Sequence, residues 1–235
     1  MKRKSVLCFS LMLIVVVAGA LFFVRQKNIS PSVVISRGSS NWINEEIAAI
    51  TSQADNLDKD VLKLSLTAYE HAKQKDITDN PLLVIVDYSK PSNQRRLWVI
   101  DLNAKRVLFN TWVAHGKNSG TITASSFSND PKSLKSSIGV YVTGDSYSGK
   151  HGASLHIHGL EPGFNDHAYS RSIVFHGASY VSASIASVSR IGRSWGCLAV
   201  SQDIINALIR TIKNKVLVVA YYPDKNWLHK SAFLN

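Results

Sequence analysis

Hydrophobic residues are spaced differently in three successive regions of the chain. Residues 5–24 form an almost uncharged run. From residue 42 to about residue 75 hydrophobic side chains recur at helical spacing, and the stretch Ala-Asp-Asn at 54–56 predicts a break between two helices. Beyond Pro81, short hydrophobic runs alternate with turn residues, a pattern typical of β-strands. The chain is therefore predicted to contain an apolar leader, a helical region and a β-rich region.

The β-rich region is predicted to carry one further helix near its end. Gly and Ser are dense between residues 116 and 153, which predicts loops of the kind that wall a substrate groove. Strands are predicted at 82–86, 95–102, 106–114, 138–143, 154–158, 172–176 and 216–221, and the helix at 201–212. This order predicts an α+β fold that is β-rich, mostly antiparallel and sandwich-like, with a helical N-terminal extension.

The apolar leader has the pattern of an export signal, because three basic residues follow Met1 and precede the run 5–24. Two interpretations stay open. The small residues 18–20 resemble a signal-peptide cleavage site, whereas about 20 uncharged residues are enough to span a bilayer as an uncleaved anchor. Both predict a location outside the cytoplasm: periplasmic, secreted, or held at the inner membrane by residues 5–24.

The formal net charge of the chain is +11. Its basic residues are spread widely, and we find no zinc-finger or helix-turn-helix pattern, so no nucleic-acid partner is predicted. An exported basic protein is better suited to an anionic envelope polymer or to a membrane surface.

Two cysteines occur in the sequence, and Cys8 lies in the apolar leader. Cys197 is then the sole cysteine of the exported portion. An unpaired thiol outside the cytoplasm indicates either intermolecular pairing or a reactive group. His176 precedes Cys197 by 21 residues at the end of a predicted strand, and it is the candidate base.

A thiol attacks carbonyls as its thiolate, which a neighbouring imidazole can generate. This chemistry requires Cys197 and His176 to meet within hydrogen-bonding reach in an open cleft. Gly196 lets the backbone approach closely, so that amides near the thiol are candidates to bind an oxyanion. Arg193 is a candidate to favour the thiolate or hold a substrate carboxylate, and Ser194 to orient the base through its hydroxyl or carbonyl.

The pair His176-Gly177 followed by residues 194–197, Ser-Trp-Gly-Cys, resembles the signature of L,D-transpeptidase (YkuD-type) catalytic domains. Residues 159–166, Arg171 and residues 176–180 and 192–197 resemble the murein branch of that superfamily. The resemblance covers about residues 80–222. Trp195 departs from the histidine usual in the superfamily, and residues 198–199, Leu-Ala, depart from its usual Ile-Arg.

The resemblance implies an enzyme that acts on peptidoglycan stem peptides, with no cofactor and no metal. Cys197 would attack the bond between diaminopimelate and D-alanine, forming a thioester and releasing D-alanine with a proton from His176. A second diaminopimelate amine would then form a crosslink, whereas water would make the protein an L,D-carboxypeptidase. Ser194 and Gly196 are the other predicted catalytic positions. Substrate contacts are predicted at Arg193, Gly177, His158, Asn165, Arg171 and Trp195.

The predicted organisation is a leader or anchor at 1–25, a linker at 26–41, a helical extension at 42–79, the catalytic domain at 80–222 and a C-terminal tail at 223–235. Two alternatives remain. His156 and His158 share one face of a predicted strand, and with Glu161 or Asp166 they are candidate zinc ligands of a metallopeptidase. The other alternative is a wall-binding module without turnover.

Overall fold

A computed structural model of the protein describes residues 36–54 and 56–235. The predicted leader or anchor at 1–25 and residues 26–35 of the predicted linker lie outside the described residues. Within the described ranges, every helix is too short or too polar to traverse a bilayer.

The helical extension consists of two helices, α1 (Ser40–Thr51) and α2 (Lys59–Gln74). Each begins at a side-chain cap: the Ser39 hydroxyl accepts from the Trp42 amide, and the Asp58 carboxylate accepts from two amides of the first turn of α2. Leu62 and Leu66 on α2 are fully buried, and α2 packs against two central strands of the sheet. The extension therefore contributes to the hydrophobic core of the domain.

Eight strands form one sheet in the described part of the chain, in the order β3-β2-β1-β8-β4-β5-β6-β7. The strands are β1 (Leu82–Asp87), β2 (Leu97–Asp101), β3 (Arg106–Thr111), β4 (Gly139–Gly149), β5 (Gly152–Gly159), β6 (Val174–Ala178), β7 (Leu198–Ser201) and β8 (Leu217–Tyr221). The remaining helices are α3 (Ala183–Val188), α4 (Gln202–Ile212) and α5 (Lys225–Lys230). The pairings β1–β8 and β6–β7 are parallel, and the other five are antiparallel.

The two ends of this sheet approach each other. The chain that continues from β3 reaches β7, where the Ala114 amide donates to the Ala199 carbonyl at 2.8 Å. Gly116 forms a parallel bridge with Ser194 two residues further on. The predicted fold class, α+β, mostly antiparallel and sandwich-like with a helical extension, is confirmed.

Two features of the sheet differ from the prediction. The predicted strand 138–143 continues to Gly149 and forms a hairpin with β5, in a region expected to be loops. Strand β7 directly after Cys197 was not predicted, and it is the edge that positions the cysteine.

The core lies between the sheet and the helices. Ile205, Leu208 and Ile209 on α4 are buried against β5 and β6. At the C-terminal end, α5 buries Trp227, whose indole donates to the Glu161 carboxylate at 2.8 Å. Residues 223–235, predicted as a tail, thus include a helix that packs into the domain.

Candidate active site

Strand pairing brings Cys197 and His176 to the same cavity. In the parallel pair β6–β7, Phe175 lies beside Leu198 and His176 beside Ala199. Because side chains alternate along a strand, Cys197 and His176 lie on one face while Phe175 and Leu198 point into the core. The thiol and the imidazole are offset along the strands by two residues.

The cavity has a volume of about 420 Å³. Its walls are the β4–β5 hairpin, the entry to β6 and the turn before β7. The lining residues are Tyr147, Lys150, His151, Ser154, Arg171, Ser172, Ile173, Val174, His176, Tyr180, Arg193, Ser194, Trp195 and Cys197. A more open cavity of about 550 Å³ between the hairpin and α4 holds neither the cysteine nor His176, so the smaller cavity is the candidate active site.

His176 is held in a state suited to accepting a proton. Its side chain is buried, and Nδ1 lies 2.9 Å from the Gly177 carbonyl oxygen. Since a carbonyl only accepts, Nδ1 carries the proton and Nε2 keeps its lone pair. Burial lowers the pKa of His176, the Gly177 contact opposes that shift, and the charge of His151 lowers the pKa further. His176 is therefore neutral near pH 7.

His151 covers the imidazole of His176. The two rings are stacked with centroids 4.6 Å apart. His151 occupies the turn of the β4–β5 hairpin, between the paired glycines Gly149 and Gly152. Neither His151 nor its neighbour Lys150 was predicted as a site residue. The signal in the sequence is a two-residue turn flanked by glycines, which is typical of a hairpin.

Cys197 is a half-buried thiol that donates to the Ser172 carbonyl oxygen at 3.6 Å. Burial raises the pKa of the thiol, while a backbone contact at Val174 and the charge of Arg171 oppose the rise. The resting pair is thus a neutral thiol and a neutral imidazole rather than an ion pair.

The predicted hydrogen bond between Cys197 and His176 is not formed between these two described residues. The cause is the two-residue offset between them, which leaves the thiol beside the Ser172 carbonyl. Hydrogen bonds of catalytic groups often tighten only when substrate is bound. A rotation of the Cys197 side chain away from Ser172 is what the chemistry requires.

The turn 193–197 is stabilised from within by Ser194. Its hydroxyl donates to the Cys197 carbonyl at 2.7 Å and accepts from the Gly196 amide at 3.1 Å. Its carbonyl accepts from the Lys117 amide. Ser194 therefore shapes the loop that carries the thiol, and the predicted contact with His176 is made instead by the Gly177 carbonyl.

The backbone conformation and the close packing at residue 196 require glycine. Its φ is +119°, and a Cβ at this position would lie 2.7 Å from the Lys135 carbonyl oxygen. Only glycine fits here without displacing backbone. The Gly196 amide is already bonded to Ser194, so this N–H is not the free oxyanion donor that was expected.

Two other predicted contacts border the cavity beside the thiol. Arg193 donates through Nη1 to the carbonyls of Lys117 and Gly120, at 2.6 and 2.9 Å, and lines the cavity. Trp195 is 71% exposed at the cavity wall. Both positions are compatible with the predicted substrate contacts.

Arg171 also lines the cavity, but its donors are used within the protein. Nη1 donates to the Ser128 carbonyl and the Ser137 hydroxyl, and Nη2 to the Ser133 hydroxyl and the Lys135 carbonyl. The guanidinium therefore anchors the loop 128–137 instead of offering a two-pronged contact to substrate, and its charge acts on the thiol from that position.

Three predicted substrate contacts lie away from the lining. Asn165 is fully buried, donating to the Val140 carbonyl and accepting from the Glu161 amide, so it holds strand β4 in place. His158 is exposed and stacks on the Tyr169 ring at 4.8 Å. Gly177 acts through its carbonyl on His176, and its missing Cβ leaves room for α4.

The proposed zinc ligands are not arranged as a metal site. Among residues 36–54 and 56–235, no group of three or more His, Cys, Asp and Glu side chains is placed to hold an ion. The Glu161 carboxylate instead accepts from the Val140 amide and the Trp227 indole, and Asp166 accepts from the Gly163 amide. The zinc alternative therefore lacks a ligand set in this part of the protein.

Comparison with known proteins identifies one family. A family model described as L,D-transpeptidase catalytic domain matches residues 53–221, which confirms the resemblance. No curated protein sequence matches the chain.

Among solved structures, an L,D-transpeptidase from Mycobacterium smegmatis is similar with 12% identity and a TM-score of 0.38, covering 60% of this chain and 59% of that one. L,D-transpeptidase 1 of Mycobacterium tuberculosis is similar with 12% identity and a TM-score of 0.34, and the match covers 59% of this chain and 60% of that one. An L,D-transpeptidase from Stackebrandtia nassauensis is similar with 12% identity and a TM-score of 0.35, and the match covers 83% of this chain and 98% of that one. The similarity thus spans about three fifths of the length of the two mycobacterial proteins.

Proposed function

The chain belongs to the L,D-transpeptidase catalytic-domain family, and we propose that it is a peptidoglycan L,D-transpeptidase with Cys197 as nucleophile and His176 as general base. The observation that carries the proposal is that both side chains line one cavity, His176 from β6 and Cys197 from the position directly before the neighbouring strand β7. The pKa directions agree with this assignment, since a neutral imidazole is ready to take the proton of a neutral thiol.

In the first half-reaction, Nε2 of His176 takes the proton of the Cys197 thiol. The thiolate attacks the carbonyl between diaminopimelate and D-alanine, and a tetrahedral oxyanion forms. When the intermediate collapses, the carbon–nitrogen bond breaks and the imidazolium returns its proton to the leaving D-alanine amine. The product is a thioester between Cys197 and the diaminopimelate carbonyl.

In the second half-reaction, the side-chain amine of another diaminopimelate attacks the thioester. His176 accepts a proton from that amine and returns it to the departing sulfur, so the enzyme is regenerated and an amide crosslink remains. If water attacks instead, the product is a stem tripeptide and the activity is that of an L,D-carboxypeptidase. Both outcomes use the same acyl-enzyme.

Three neighbours support these steps in the proposal. The positive charge of Arg171 favours the thiolate, opposing the effect of burial. Ser194 fixes the shape of the turn through its contacts with Gly196 and Cys197. Trp195 contributes an exposed aromatic face at the cavity wall for the stem peptide.

We also propose an extracytoplasmic location, because the peptidoglycan substrate lies outside the cytoplasmic membrane. The proposed organisation keeps residues 42–79 as a helical extension of a catalytic domain at 80–222. The matched family region begins at residue 53 and so includes α2, which agrees with the burial of that helix.

The test is mass spectrometry of tetrapeptide muropeptides incubated with the purified protein. We expect loss of D-alanine with dimer formation for a transpeptidase, or loss of D-alanine alone for a carboxypeptidase. Cys197→Ser should abolish both, and Cys8→Ser is the matched control because it removes the other cysteine. Unchanged turnover in Cys197→Ser refutes the proposal. Inhibition by EDTA but not by iodoacetamide would indicate a metallopeptidase, and no turnover by the unmodified protein would indicate a binding module.

A further inference from the structure

The fixed charges that line the candidate active site all have one sign. Lys150 at the hairpin turn, Arg171 at the entry to β6 and Arg193 before the thiol line the cavity. No Asp or Glu occurs among the described residues that line it. Three fixed cations therefore line the cavity that holds the thiol, and none of the described lining residues is a carboxylate.

The three cations differ in how many of their hydrogen-bond donors are already bonded within the protein. Arg171 has both terminal nitrogens bonded to the loop 128–137. The charge of Asp130, a residue that does not line the cavity, acts to raise the pKa of Arg171. Arg193 is bonded through Nη1 to two carbonyls, which leaves the second terminal nitrogen for a ligand. Lys150 is exposed at the hairpin turn. Arg193 and Lys150 are thus the cations available to a bound molecule.

A cavity of this charge favours anions for two reasons. Charges that line a concave site with low-dielectric walls focus their field, so an anionic group is concentrated there. Inside the cavity the effective dielectric is lower than in bulk water, so each attraction is stronger than at an open surface. Neutral groups of the same shape gain neither effect.

We propose that this cavity selects its donor substrate by charge: it accepts stem peptides whose diaminopimelate side-chain carboxylate is free and discriminates against those in which that group is a carboxamide. Lys150 and Arg193 are the residues that make the distinction. The proposal rests on the function proposed above, because it specifies the donor of the same acylation step.

The experiment compares two synthetic tetrapeptides that differ only in a carboxylate or a carboxamide at that position. Acylation of Cys197 and release of D-alanine are followed by mass spectrometry in single turnover, so that the acceptor amine does not enter the rate. Since hydrogen bonds to charged groups are each worth about 10- to 100-fold in an equilibrium, we expect at least about a 10-fold faster acylation by the free acid. The preference should shrink as salt is raised, since ions screen the attraction.

Lys150→Gln and Arg193→Gln are the variants, and Lys59→Gln on the exposed face of α2 is the matched control. Each variant is first checked by thermal unfolding. We expect Lys150→Gln, which removes the charge of an exposed side chain at a turn, to fold normally and to reduce the preference. We expect Lys59→Gln to leave the preference unchanged.

The outcomes separate this proposal from the one on which it rests. Equal acylation by both peptides refutes selection by charge and leaves the transpeptidase assignment intact. A preference that survives in both cavity variants also refutes the proposal, because other residues then produce it. Acylation by neither peptide means that the proposed function itself is wrong.

Discussion

Replacing Gly196 by alanine should destabilise the protein and displace Cys197, because the backbone conformation at residue 196 suits only glycine. The φ of +119° lies in a region that side chains with a Cβ rarely adopt, and such strain costs about 1–3 kcal/mol. The added Cβ would also sit 2.7 Å from the Lys135 carbonyl oxygen and 2.9 Å from the Ile173 side chain. Because the first contact is with backbone, the loop that Arg171 anchors must move. Such overpacking costs about 1–3 kcal/mol, so we expect a total cost of about 2–6 kcal/mol.

Gly163→Ala is the matched control for this prediction. Gly163 also has positive φ, +81°, but a Cβ there would meet no atom within 4 Å. It should therefore lose only the backbone preference, about 1–2 kcal/mol. For a domain of this size each kcal/mol lowers Tm by about 2–4 °C, so Gly196→Ala should unfold at a lower temperature than Gly163→Ala.

The assay combines thermal unfolding with the rate at which iodoacetamide alkylates Cys197. Gly196→Ala should change the alkylation rate as well as Tm, since the turn that carries the thiol is displaced. Gly163→Ala should leave the alkylation rate unchanged. Equal Tm values and equal alkylation rates in the two variants would show that the contact with Lys135 does not constrain the turn.

Three further predictions concern the base and the core. His176→Gln should slow acylation by about 10²–10⁴-fold, the usual contribution of a general base; a fall of less than about 3-fold argues against this role. Acylation kcat/KM should rise as pH increases through the pKa of His176, because only the neutral imidazole accepts a proton. His151→Phe, which keeps a ring but removes a positive charge that lowers that pKa, should move the acidic limb to higher pH, and an unmoved limb contradicts the electrostatic coupling. Trp227→Ala should cost about 3–5 kcal/mol in urea unfolding, whereas Trp195→Ala, at an exposed site, should cost little; similar losses would refute the assigned burial.

The fold class was predictable because it depends on local patterns. The helical spacing between residues 42 and 75 indicated α1 and α2, and runs such as 82–86 indicated the central strands. Strand β7 escaped prediction because its four residues are too few to establish a period. The β4–β5 hairpin was obscured by the Gly and Ser residues that also suggest loops.

The candidate site was predictable only in part, since its residues come from distant segments. The motif around Cys197 and His176 is visible in the sequence. No local pattern shows that His151 covers the base, because that contact depends on how the hairpin folds over β6. Asn165 lies within a family-like motif, yet hydrogen bonds with Val140 and Glu161 give it a structural role. Membership of a family-like motif therefore did not distinguish a residue that supports the fold from one that faces the substrate.

The pairing of β1 with β8 has a consequence for the order in which this protein is made. Leu83 lies beside Leu217, so the middle of the sheet joins an early and a late part of the sequence. In a chain synthesised from its N-terminus, β1 lacks its neighbour on one side until β8 has been made. Pairings between such distant segments form slowly. The catalytic domain should consequently stay unfolded during synthesis, which is the condition in which a polypeptide can be threaded through a narrow translocation channel.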